Sequence, residues 1–134
     1  MSQENVELVR RAYEHRQATG DFLEEVIAPE FVWDMSTFRG WPEQSTYEGI
    51  EEARRFIREW TAAFDGWRIE VEAIHDAGGD RVVGILRQRG RSKSSGLPVD
   101  MLLAQVFTIN AGRQTRMEMY ADPAEALQAV GLEG

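Results

Sequence analysis

The sequence predicts an α+β domain, with helices packed on one face of a curved, largely antiparallel sheet. Three observations carry that expectation. Two amphipathic helical stretches lie in the first half, around a single strand-like run. From about residue 67 the apolar period changes from helical to two and stays there through four strand-like segments, a segregation typical of α+β architecture. Charged residues make up 28% and apolar residues 43% of the 134 residues, enough oil for one core and one domain spanning 1–134.

Each element has its own signal. Ser2 caps a first helix, Glu4 lies in its first turn, and Val6, Val9, Tyr13 and Arg16 follow at helical spacing until Gly20 ends the run. Asp21 opens a short helical turn, "FLEEVI", closed by Pro29. "EFVWDMSTF" alternates like a strand, and "RGWPEQSTYEG" reads as a loop. A second long helix runs from about Ile50 to Phe64, with Ile50, Ala53, Ile57, Trp60 and Phe64 on one stripe.

The meander comes next: "WRIEVEA", "RVVGILRQRGR", "VDMLLAQVFTI" and "QTRMEMYA", separated by "GGD", "SKSSGLP" and "NAGR". "DPAE" then supplies Asp at the N-cap, Pro at the first turn and Glu at the third position of a closing helix that ends at Gly131.

Composition excludes several functions. The net charge of −8 argues against general nucleic-acid binding, which needs an excess of Lys and Arg. With no cysteine there is no disulfide, thiolate metal site or thiol nucleophile, as suits a reducing cytoplasm. Two distant histidines give no metal-ligand spacing, and no phosphate- or dinucleotide-binding motif is present. The polar N-terminus is neither a signal peptide nor a membrane span. The expectation is a cytoplasmic protein with no metal, no cofactor and no membrane or nucleic-acid partner.

The segments "VELVRRAYEHRQATGD", "APEFVWD", "YEGIEEARRFI" and "MYADPAEALQAVGL" resemble the SnoaL-like branch of the nuclear-transport-factor-2-like superfamily. The resemblance implies a cone-shaped barrel whose curved, mixed sheet wraps about three helices, with a short C-terminal helix. Ketosteroid isomerases, scytalone dehydratase and limonene epoxide hydrolase share that fold. Fold alone fixes no reaction.

Carried over residue by residue, the resemblance puts Tyr13 at the position of an isomerase oxyanion donor. Gln105, in "MLLAQVFTI", takes the place of the second donor, where an amide N–H can also stabilise an oxyanion. The isomerase base falls on Met35, while Asp34 lies one residue earlier and points to the opposite face of its strand.

Strand parity gives Met101, Leu103, Gln105, Phe107 and Ile109 one face, and Val82, Gly84, Leu86 and Gln88 another, with Gly84 leaving room for a ligand. Alignment to the family turns Arg116, Glu118 and Tyr120 inward, and Thr115, Met117 and Met119 outward. The expected pocket then joins Tyr13, Gln105, Glu118 and Arg116 as candidate catalytic groups to a lining of Trp33, Met35, Trp60, Phe64, Gln88, Phe107 and Tyr120. Each residue also has a structural reading: Gln105 bonded within the core, the tryptophans as core packing, and Arg116 with Glu118 as an ordinary ion pair. Outward Val83, Ile85, Leu102, Ala104 and Val106 form an apolar face that predicts a homodimer.

Three functional readings remain open. One is a cofactor-free isomerase or polyketide-cyclase-like enzyme working by acid–base chemistry on a hydrophobic cyclic substrate, with epoxide-hydrolase-like water addition as a variant. The second is a noncatalytic, dimeric protein that binds a hydrophobic small molecule. The third is a scaffold whose cavity is filled by its own side chains.

Overall fold

The computed structural model describes residues 2–38 and 45–132. Helix α1 spans Ser2–Thr19, and the expected second turn is a short 3-10 helix at Glu24–Val26. Strand β1 (Ile27–Asp34) pairs antiparallel with the short β2 (Thr46–Glu48), which the sequence reading had placed in a loop. Helix α2 covers Ile50–Ala62. The meander consists of β3 (Phe64–Asp76), β4 (Arg81–Ser92), β5 (Pro98–Asn110) and β6 (Arg113–Tyr120), followed by α3 (Pro123–Ala129). Part of the predicted "RGWPEQSTYEG" loop, positions 39–44, lies outside the described residues. Among the described residues no helix is long and apolar enough to cross a membrane.

Among the described residues the strands form one six-stranded mixed sheet in the order β2-β1-β6-β5-β4-β3. All neighbours are antiparallel except β1 and β6, which run parallel. The β3–β4 register shifts twice, between Asp65 and Arg68 and between Val71 and Ala73. Such irregularities bend a strand and increase its twist, which lets the sheet curl over the helices without closing. The β5–β6 turn needs positive φ at both central residues, and Ala111 (φ 51°) and Gly112 (φ 77°) supply it.

Two apolar clusters flank the sheet. On the concave side, Val9 and Tyr13 from α1 and Phe56 and Ile57 from α2 pack against Trp33, Leu86, Leu103, Phe107 and Met117. On the convex side, Ala126 and Leu127 of α3 cover Val83, Ala104 and Val106. Those three residues belong to the apolar face predicted to hold a second copy, and α3 covers them from within the same chain. Leu102 remains exposed and Ile85 half-buried.

The cross-strand register corrects one expectation. Gln105 sits opposite Met119 and Phe107 opposite Met117, so both methionines share the concave face. Arg116, Glu118 and Tyr120 lie opposite Thr108, Val106 and Ala104, on the convex face. The physical reason is the plain alternation of "TRMEMY": burying two methionines is favourable, and burying an arginine and a glutamate in their place is not.

Candidate functional site

The concave face and the two long helices enclose a cavity with about 430 Å³ of unfilled space, including its mouth. Most of that space is a thin slot, with room for about one water. Its walls include Trp33, Met35, Phe56, Trp60, Trp67, Leu86, Leu103 and Met119, interrupted by Tyr13, Arg16, Gln88 and Gln105. A second tight space, also with room for about one water, lies beside it and shares Tyr13, Arg16, Trp33 and Gln105, adding Phe107 and Gln114.

Of the expected lining, Trp33, Met35, Trp60 and Gln88 face the first cavity and Phe107 the second. Phe64 lines neither; its ring packs on Trp60, 5.8 Å between centroids. Tyr120 packs on the convex side, against the α3 cluster.

Tyr13 and Gln105 do meet. The phenol donates to Gln105 Oε1 over 2.7 Å, between two fully buried side chains 92 residues apart. Burial drives the Tyr13 phenol far above its usual range, although Arg16 pulls in the opposite direction, so Tyr13 is a neutral donor throughout ordinary conditions. Its ring stands edge-on to Phe107 at 5.8 Å.

Gly84 has a different purpose from the one its position suggested. A Cβ there would lie 2.1 Å from the Tyr13 hydroxyl, so the missing side chain makes room for that hydroxyl and not for a ligand.

Gln88 is oriented by chemistry that leaves no ambiguity. The indole N–H groups of Trp60 and Trp67 both point at its Oε1, at 2.9 and 3.3 Å, and an indole can only donate. The amide nitrogen of Gln88 therefore faces away from both rings with its hydrogens unspent. Gln105 is arranged alike, with its oxygen taken by Tyr13.

Arg16 is the feature that sequence reasoning missed. Its signal was present: a cation three residues after Tyr13 on the inward stripe of α1. The guanidinium carbon lies 5.6 Å from the centroids of both Phe22 and Trp67. Its Nε is buried without a hydrogen-bond partner, and no carboxylate lies within ion-pair distance among the described residues. Burial lowers its pKa to about 10, with Tyr13 and Asp21 opposing, so it stays charged at neutral pH. Asp21 is engaged elsewhere: it accepts from Arg54 Nε at 2.8 Å and from the Phe22 amide at 2.7 Å.

The other candidate catalytic pair is on the far side of the sheet. Arg116 pairs with Asp34, which points away from the cavity and is buried. Burial pushes the Asp34 carboxyl up, but hydrogen bonds from Ser36 and the Arg116 guanidinium outweigh it and hold it below the usual range. Glu118 lies next to that pair, at the Asp34 register position of β6. Neither Glu118 nor Arg116 can therefore reach a molecule held by Tyr13 and Gln105. Among the described residues lining the first cavity, none is a carboxylate or a histidine.

A curved mixed sheet over two long helices is the fold of ketosteroid-isomerase-like and NTF2-like domains. Within that class the chain belongs to the SnoaL-like domain family, whose pattern matches residues 8–117.

Solved structures agree on the fold. A protein from Jannaschia sp. CCS1 named as a SnoaL-like polyketide cyclase superposes with a TM-score of 0.73 at 24% identity, over 98% of this chain and 94% of that one. An NTF2-like protein from Burkholderia thailandensis E264 gives 0.72 at 26% identity, over 93% and 95%. TerC, crystallised with polyporic acid, gives 0.72 at 19% identity, over 95% and 98%. No curated protein matches the sequence.

Proposed function

We propose that this protein binds a ring-bearing, oxygenated small molecule inside the cone, and that binding, not acid–base turnover, is what its residues are arranged to do. The observation that carries the reading is the Tyr13–Gln105 pair, a buried phenol–amide hydrogen bond on the wall of an aromatic cavity. A core designed only for packing gains little from such a pair, because a hydrophobic replacement of both partners is often close to neutral. The aromatic walls suit a flat guest, and the amide nitrogens suit its carbonyl or hydroxyl oxygens.

TerC, which shares the fold, was co-crystallised with polyporic acid, and a ring-bearing guest is in keeping with that. Acid–base chemistry of the isomerase kind needs a base within hydrogen-bond reach of the guest, and the described lining supplies none. The slot has room for about one water, so an aromatic guest enters by parting the rings around it.

The test uses 2-acetylnaphthalene, a flat neutral ketone, followed by quenching of tryptophan emission. The wild-type protein is expected to bind it saturably. Leu103→Phe, which narrows the slot from β5, is expected to weaken binding at least tenfold while circular dichroism stays native. Equal binding by that variant, or a wild type that binds neither this ketone nor 2-naphthoate, overturns the reading in favour of a scaffold filled by its own side chains.

A further inference from the structure

We infer that the natural guest of this cavity is an anion, an aromatic carboxylate or a similarly acidic conjugated oxygen, held by the Arg16 guanidinium. The inference rests on the pocket reading above and adds the charge of the ligand to it.

The argument starts from which polar groups have a partner. The carbonyl oxygen of Gln88 serves two indole N–H groups, and that of Gln105 serves the Tyr13 hydroxyl. What the two amides leave for a guest is N–H. The guanidinium of Arg16 has five N–H groups and no acceptor. Next door, the Nε2 of Gln114 is likewise buried with no partner, on the wall of the space that Arg16, Tyr13 and Gln105 also line. Donors thus line both spaces in excess: Arg16 and Gln105 border each of them, Gln88 the first and Gln114 the second. A guest rich in acceptors satisfies them, and one carrying negative charge also answers the cation.

Charge sharpens the point. Arg16 is half-buried with its Nε enclosed, and a cation drawn that far out of water is normally paired with a carboxylate. Arg54, nearby on α2, shows how this chain pairs a cation when pairing is the aim: Asp21, Glu24 and Glu51 all contact it at 2.7–2.8 Å. Arg16 has no such escort among the described residues; it has Phe22 and Trp67, whose rings hold the guanidinium plane but cannot satisfy its N–H groups. Arg16 also lines the surface depression formed with Asp21, Arg54 and Arg58, so it stands between solvent and the cavity, where an incoming anion would meet it.

Two probes of equal shape separate charge from fit: 2-naphthoate and 2-acetylnaphthalene, titrated calorimetrically into the full chain at neutral pH. The wild type is expected to bind the carboxylate at least tenfold more tightly than the ketone. Arg16→Gln is expected to lose about 10- to 100-fold for the carboxylate, the range of one or two charge-assisted hydrogen bonds. Its affinity for the ketone should fall by clearly less than its affinity for the carboxylate. Arg16→Lys should recover only part of the loss, because an ammonium lacks the planar fork. Arg116→Gln, on the convex face, should change neither.

A wild type that prefers the ketone, or an Arg16→Gln protein that keeps its carboxylate affinity, overturns the inference and leaves the pocket reading standing. A wild type that binds neither probe overturns both. The wild-type ratio needs no variant, so the inference remains testable even if Arg16→Gln does not fold.

Discussion

The two faces of one sheet bury polar groups in opposite ways. On the convex face, Asp34 is fully served: Ser36 and Arg116 both donate to it, acceptor and donor are matched, and Arg116 keeps part of its side chain in water. On the concave face, the oxygens of Gln105 and Gln88 are taken by Tyr13 and Trp60, while Arg16 Nε and Gln114 Nε2 are buried with no partner. A matched pair is what stability alone requires. A surplus of one kind of hydrogen-bonding group, enclosed by aromatic rings, is a cost to the empty fold that a bound molecule can remove.

The largest effect should follow from closing the gap that Gly84 leaves. Gly84→Ala drives a methyl into the Tyr13 hydroxyl, displacing the ring and breaking its bond to Gln105. Overpacking plus a lost buried hydrogen bond costs about 3 kcal/mol, read as a lower midpoint in urea with the slope unchanged. A fully stable variant would mean that Tyr13 is not fixed where the account needs it.

Next in size is the pair itself. Tyr13→Phe strands the Gln105 carbonyl and is expected to cost about 1–2 kcal/mol, and Gln105→Leu should cost about as much by stranding the phenol. The double variant should cost clearly less than the sum, with a coupling of about 1 kcal/mol in a double-mutant cycle. Strict additivity would show that the two groups do not depend on each other.

The convex face should respond to pH, not to ligands. Asp34 has a native pKa below its unfolded value of about 4, so its contribution to stability is complete above that value and fades as pH falls towards the lower native one. Arg116→Met should cost about 1–2 kcal/mol at neutral pH, a figure reduced because the arginine is 41% exposed. That cost should shrink in acid, when Asp34 becomes protonated, as urea titrations between pH 3 and 7 would show. A cost that is constant across that range would remove the ion pair from the account.

Much of the fold was legible because it depends on periodicity. The inward set on β5, from Met101 to Ile109, followed from alternation, and so did Gln88 and Leu86 on β4. Parity on β6 went wrong where family alignment was preferred to the strand's own pattern. In "TRMEMY" the methionines were the inward residues, as burial energetics alone would have said.

The site was legible only in part, for a reason of geometry. Gln105 stood out as an amide in an oily strand, and Tyr13 as its partner could be guessed. The orientation of Gln88 depends on indoles from α2 and β3 meeting at one oxygen, a convergence that no local pattern encodes. Arg16 was visible as a charge on an apolar stripe, but only the fold shows that no described carboxylate comes to meet it.

The difference between the two faces can be read from a single titration of the wild-type protein. Arginine Nε–H and glutamine side-chain amide signals in a nitrogen–proton correlation spectrum report on both faces at once. On adding 2-naphthoate, the account predicts that the Arg16 Nε–H and Gln88 amide signals shift saturably with one common affinity, while the Arg116 Nε–H signal stays still. Movement at Arg116 with none at Arg16 would contradict it.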